Sequence, residues 1–112
     1  GYVAEASGDN IFIVRGDTLV TPPAWCGSLE GITRSVVMKL APEHGYQVRE
    51  DVLTRYDLYT ADEMFLTGTA AEIISVVNMD RRIIGSGKPG PVTRELARHF
   101  HAFAQISGTP IA

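Results

Sequence analysis

Cysteine is almost missing from this chain: Cys26 stands alone among 112 residues. No internal disulfide can form, no cysteine pair is available for zinc, and a reducing compartment, the cytoplasm, is the expected home. Cys26 itself reads as a small, partly buried thiol. Runs of lysine or arginine are also absent, and the net charge is −3 with an isoelectric point near 5.5. That excludes nucleic acid and anionic membrane as main partners. Apolar runs stop at four or five residues, too short to span a bilayer, and no signal-peptide pattern opens the chain. His44, His99 and His101 have no ligand spacing, so no metal site is expected. Lysine occurs only as Lys39 and Lys88. An initial methionine is lacking too: Gly1 opens directly into strand-like Tyr2-Val3-Ala4-Glu5, which reads as a piece of a longer polypeptide.

What is there is ordinary globular material, 45% hydrophobic and 21% charged. A chain of this length builds one modest core, so residues 1–112 are read as a single domain. Gly1 to Glu5 reads as a short buried strand and Ala6-Ser7-Gly8-Asp9 as a turn. Asn10 to Val14 is a second strand, Arg15-Gly16-Asp17 a hairpin turn, and Thr18 to Val20 its return. Thr21-Pro22-Pro23 closes that strand, because proline cannot donate to a ladder. A loop over 24–31 leads into a helix from about Thr33. Ile32, Val36 and Leu40 form its apolar stripe, with Val37 and Ala41 alongside. Gly45 is its stop, while Pro42 should kink or shorten the last turn.

Gln47 to Leu53 alternates as a strand, and Thr54-x-x-Asp57 is a capping box for a helical turn through Tyr59. Residues 62–77 form a hairpin of two strands around a Gly68-Thr69-Ala70 corner. Asn78 to Arg81 reads as a turn and Arg82-Ile83-Ile84 as a strand. A last helix starts at Pro91, a residue suited to a first helical position, with Gly108 just past its end. It puts Val92, Leu96, Phe100 and Phe103 on one face. The expected class is α+β, a mostly antiparallel twisted sheet or partial barrel with two main helices.

Three points carry possible chemistry: Glu5 at a strand end, Gly31-Ile32-Thr33 opening a helix, and the Gly68-Thr69-Ala70 corner. A helix N-terminus offers unpaired N–H groups and partial positive charge to an anion, and Thr33 and Thr69 can add hydroxyl donors. Each threonine taken alone reads equally as a helix cap or a turn filler. A fourth motif is a decoy. Gly85-Ser86-Gly87-Lys88-Pro89-Gly90 matches G-x-G-x-x-G, but Pro89 removes a donor and no acidic residue follows about twenty positions on. It reads as a loop before the last helix.

Read together, Glu5-Ala6-Ser7-Gly8-Asp9-Asn10-Ile11-Phe12, Thr21-Pro22-Pro23, Leu29-Glu30-Gly31-Ile32-Thr33-Arg34, Ala61 to Ile73 and Gly87-Lys88-Pro89-Gly90-Pro91-Val92-Thr93 resemble the C-terminal half of a branched-chain amino-acid aminotransferase. That family consists of pyridoxal-phosphate enzymes of fold type IV, and the likeness covers nearly the whole chain. The resemblance implies the large C-terminal domain of such an enzyme, acting on amino-acid and 2-oxo-acid substrates (Leu, Ile or Val with 2-oxoglutarate), as a homodimer or larger homo-oligomer. It implies that Glu5 pairs with the pyridine nitrogen, keeping it protonated so that the ring can accept electrons. It places Gly8 and Asn10 in the same pocket, Leu29 against the ring, and Gly31, Ile32, Thr33, Gly68 and Thr69 around the 5′-phosphate of pyridoxal 5′-phosphate. The backbone of Thr69 and Ala70 is implied to receive the substrate carboxylate.

The family's Schiff-base lysine, which also carries the proton, matches no position here. It lies upstream of the glutamate, as does the small N-terminal domain. Lys39, mid-helix, and Lys88, in a Gly/Pro loop, read as surface lysines, so no catalytic residue is expected in this chain and none of its own turnover. Pro42 and Trp25-Cys26 depart from the family pattern. Alternatives of the same fold are a D-amino-acid aminotransferase and an aminodeoxychorismate lyase. An alternative of another class is a non-catalytic domain binding a phosphorylated ligand or a partner.

Overall fold

A computed structural model describes residues 10–23, 32–68 and 73–107. The expected strand over 1–5, the loop over 24–31, the Thr69-Ala70 part of the corner and Gly108 lie outside the described residues. Ten elements follow in order: β1 (Asn10–Arg15), β2 (Thr18–Thr21), α1 (Ile32–Glu43), β3 (Gln47–Glu50), α2 (Arg55–Tyr59), β4 (Glu63–Thr67), β5 (Ile73–Ser75), β6 (Asn78–Met79), β7 (Arg82–Ile83) and α3 (Pro91–Ser107).

Five strands make one open sheet in the order β3-β2-β1-β4-β5, and β6-β7 is a separate two-stranded ribbon. The class is the expected α+β, with two long helices and a short third. Among the described strands the sheet does not close into a barrel. Pairing is antiparallel except between β2 and β3, which are parallel and joined through α1. Parallel neighbours need such a crossover. β3 is shorter than the expected 47–53, and the ribbon's turn is only Asp80-Arg81, both at positive φ (52° and 66°). Asn78 and Met79, expected in that turn, are strand.

Alternation along β1 and β4 splits the core in two, as a pleat must. Ile11, Ile13 and Met64 face Leu53, Leu58 and Ile84. Phe12, Val14 and Phe65 face Val37 and Ala41 of α1 and Leu96 of α3. Helix α1 turns Thr33, Val37, Leu40 and Ala41 inward; Val37, Leu40 and Ala41 are as expected, while Val36 is only partly buried. It also runs through Pro42 rather than stopping before it. Gly45, at φ +92°, lets Tyr46 N–H reach Ala41 O and Gly45 N–H reach Pro42 O, the paired bonds of a Schellman stop. The capping box forms as expected: Thr54 N–H donates to Asp57, and Asp57 N–H to the Thr54 hydroxyl.

The two long helices run antiparallel, His44 stacking on His99 at 3.6 Å. Beside them the Tyr46 hydroxyl donates to Glu95 Oε1 at 2.6 Å. That bond, then burial, pushes Tyr46 up to about 12, and it holds Glu95 below its ordinary value. A raised folded value stabilises below the ordinary tyrosine pKa and is lost as pH rises through the folded one; a lowered carboxylate stabilises above its ordinary value and is lost as pH falls. Tyr46→Phe is therefore expected to lose least at the two extremes and most between them. Unfolding midpoints of both proteins measured across pH check this: parallel curves would refute it.

Candidate functional site

Register places the two ends of the sheet. β1 pairs with β4 so that Asn10 stands opposite Thr67 and Val14 opposite Glu63. β2 and β3 end at Thr21 and Glu50, which are partners, and Thr67 pairs with Ile73. One end therefore gathers Asn10, Thr21, Glu50, Thr67 and Ile73. The other holds the Arg15–Thr18 hairpin and the start of β4.

Helix α1 begins at the first of these ends. Its C-terminus returns to the hairpin, where Gln47 N–H donates to Asp17 O, and its third residue, Arg34, donates to Pro22 O just past β2 at 3.1 Å and to Glu50 at 2.9 Å. Thr33, 5% exposed, continues the stripe of Val37 and Ala41 that lies on the sheet. Opposed residues of an antiparallel pair share a face. Asn10 and Thr67, both buried, thus lie on the face of the stacked Phe12 and Phe65, the face α1 covers.

Of the sequence-predicted site residues, the fold places Asn10, Ile32, Thr33 and Gly68 at the same end of the sheet: the start of β1, the first two residues of α1 and the residue after β4. Glu5, Gly8, Leu29, Gly31, Thr69 and Ala70 lie outside the described residues. Two neighbours were missed. Thr67 is 2% exposed, and its hydroxyl has no hydrogen-bond partner among the described residues. Arg34 is 1% exposed. The signal for Thr67 was its place beside Gly68 on the alternation of β4. For Arg34 the only signal was its adjacency to Thr33, since arginine is ordinarily a surface residue.

The two long helices treat their N-termini differently. At α3, Glu63 of β4 accepts from Val92 N–H, Thr93 N–H and the Thr93 hydroxyl, at 3.1, 2.8 and 2.8 Å. That end already has its anion. Helix α1 has no acidic residue in its first turn, so its leading N–H groups and partial positive charge suit a ligand anion. The G-x-G-x-x-G loop lies at the α3 end. Gly85 is pressed on the Asp62 backbone and Gly90 on the Glu63 carboxylate, so these glycines serve packing, as the loop reading expected. A shallow groove of about 320 Å³ along Pro91, Arg94, Glu95 and Arg98 also belongs to that end. It is a charged helix surface away from the convergence of strands. Lys39 and Lys88 are exposed, with Lys39 Nζ 5.9 Å from the Phe103 ring. No group of three metal-ligating side chains occurs among the described residues. No helix there is long and apolar enough to cross a membrane.

The family model for amino-transferase class IV matches residues 1–79. The branched-chain-amino-acid aminotransferase of Escherichia coli K12 is 48% identical over 100 residues, covering 89% of this chain and 32% of that protein. The crystal structure of the Escherichia coli enzyme superposes with a TM-score of 0.88 at 47% identity, over 91% of this chain and 34% of that one. The branched-chain aminotransferase of the thermophilic archaeon Thermoproteus uzoniensis, solved with norvaline, superposes at 0.88 and 42% identity, over 97% and 36%. Another solved branched-chain amino acid aminotransferase, complexed with N-(5′-phosphopyridoxyl)-L-glutamate, superposes at 0.87 and 43% identity, over 98% and 36%. The chain spans about a third of the length of these relatives.

Proposed function

The chain belongs to the class IV amino-transferases, and from that premise we propose that it forms the phosphate-holding part of the large domain of a branched-chain amino-acid aminotransferase. The observation that carries the reading is the convergence of β1, the N-terminus of α1 and the Thr67-Gly68 end of β4 at one end of the sheet. The full gene product moves an amino group between Leu, Ile or Val and 2-oxoglutarate, with pyridoxal 5′-phosphate as cofactor. The residues present fit a phosphate ester: a first helical turn without acid, a buried Thr33 hydroxyl, and a buried Thr67 hydroxyl lacking a partner among the described residues.

In this reading the amides of Ile32 and Thr33 and the Thr33 hydroxyl hold the phosphate, while Gly31, Gly68 and Thr69 complete its cup. Glu5 holds a proton at the pyridine nitrogen, Gly8 and Asn10 line the pocket, and Leu29 covers the ring. The amides of Thr69 and Ala70 orient the substrate carboxylate. When bound, pyridoxal phosphate supplies the electron-accepting ring that the reaction needs. Neither lysine of this chain lies at that end, so no turnover is expected of the 112 residues by themselves. The chain is read as one domain, supported by two apolar layers on the faces of a single sheet. A homodimer or larger assembly in the cytoplasm is part of the proposal, with exposed Ile74 on β5 and Ile83 on β7 as apolar side chains such a contact can cover.

The test is amino-group transfer by the full gene product, followed as glutamate formed from 2-oxoglutarate. L-leucine or L-isoleucine is expected to serve as donor. Transfer from D-alanine alone favours the D-specific relative, and pyruvate release from aminodeoxychorismate the lyase. For the site itself, Thr33→Val is expected to weaken pyridoxal phosphate binding by about 2 kcal/mol, roughly thirtyfold, the worth of a hydrogen bond to a charged group. Fluorescence titration reads it, and an unchanged affinity removes Thr33 from the cup.

A further inference from the structure

We propose that Arg34 is a positioning residue for the phosphate site, a buried clamp that sets where the first turn of α1 points. The inference rests on the reading above. An anion bound by helix amides depends on the direction of a few N–H bonds, so whatever fixes that turn sets the affinity. Arg34 is the third residue of α1. Its Nη2 donates one bond to Pro22 O, past the end of β2, and another to Glu50 Oε1, at the end of β3. One nitrogen thereby ties the helix start to the ends of two paired strands. Arg34 is 1% exposed, whereas the Glu50 side chain is 47% exposed.

Water therefore screens the carboxylate more than the guanidinium. A surface arginine at this position would not anchor the turn. Burial is costly for a charge, and the sequence places it one residue beyond the amides that the phosphate uses.

The experiment compares pyridoxal 5′-phosphate with pyridoxal, which has the same aldehyde and ring but no phosphate, on the full gene product. Arg34→Met is expected to weaken the phosphate ester by about tenfold or more, as displacing a binding group by a fraction of an ångström does, and to leave pyridoxal unchanged. Hydrogen exchange at the amides of Thr33, Arg34 and Ser35 is expected to quicken. Glu50→Ala removes one anchor from a half-exposed site and keeps the test open if Arg34→Met does not fold. It is expected to weaken the ester by about threefold, the scale of a partly exposed ion pair.

Equal losses for both probes, or an unchanged ester affinity, overturn the positioning role while leaving the phosphate site standing. A wild-type protein that binds both probes equally overturns the phosphate reading itself, and this inference with it.

Discussion

Replacing Phe65 by alanine is expected to cost about 3–5 kcal/mol, the range for emptying an aromatic core position. Phe65 is fully buried and stacks on Phe12, its register partner, with ring centroids 5.0 Å apart and planes 6° from parallel. The pair sits between the sheet and the two long helices, in contact with the layer of Val37 and Leu96. Total stability of a domain is about 5–15 kcal/mol, so this one change removes a large share of it. Denaturant unfolding of the full gene product should show a lower midpoint with the slope little changed. Phe65→Leu refills most of the volume and should cost less than about half as much. Equal losses for the two variants would mean that ring stacking, not volume, dominates. A loss below about 1 kcal/mol would mean that the core collapses onto the gap. The consequence reaches the site, because the same β1–β4 pairing sets Asn10 opposite Thr67, two residues along from Phe12 and Phe65.

The second large effect is expected at Gly85. Its φ is +59°, and a Cβ built there overlaps the carbonyl of Asp62. Backbone cannot swing aside as a flexible side chain can, least of all here: Asp62 N–H is bonded to Val14 O and its carboxylate to Gly16 N–H. Gly85→Ala should therefore cost about 3–5 kcal/mol, adding overpacking to a left-handed backbone. Gly16 is the control, with the same φ of +59° and nothing within 4 Å of its missing Cβ. Gly16→Ala should cost only the conformational part, about 1–2 kcal/mol. Thermal or denaturant midpoints of the two alanine variants measure the difference. If they match, the contact with Asp62 relaxes freely and the close approach is not what that loop requires.

Those two positions show where sequence reading stops. Pro89 and the missing acid are enough to set the G-x-G-x-x-G pattern aside as a phosphate loop. Nothing local says that Gly85 lies on residue 62. The inward face of α1 holds Val37, Leu40 and Ala41 as expected, but it also takes in two polar residues that the pattern did not indicate. Apolar residues set the expected face, whereas the fold also buries Thr33 and Arg34, two polar residues at the sheet end. Thr67 is hidden in the sequence beside the more conspicuous Gly68-Thr69-Ala70. Glu63 gives no sign that it caps a helix starting far along the chain.

Local signals determined a good deal by themselves: the strand alternation of β1 and β4, the Thr54–Asp57 box, the Gly45 stop, the Pro91 start, and the run of motifs whose family the comparisons bear out. Each of these acts through neighbours within a turn or a pleat, and short-range chemistry is written directly in residue order. Tertiary structure alone decided that β3 lies parallel to β2, that α3 already holds a carboxylate at its start, and that Asn10, Thr33, Thr67 and Arg34 lie at one end of the sheet. Those outcomes depend on register and on contacts between residues tens of positions apart, and no single stretch of the chain contains both partners.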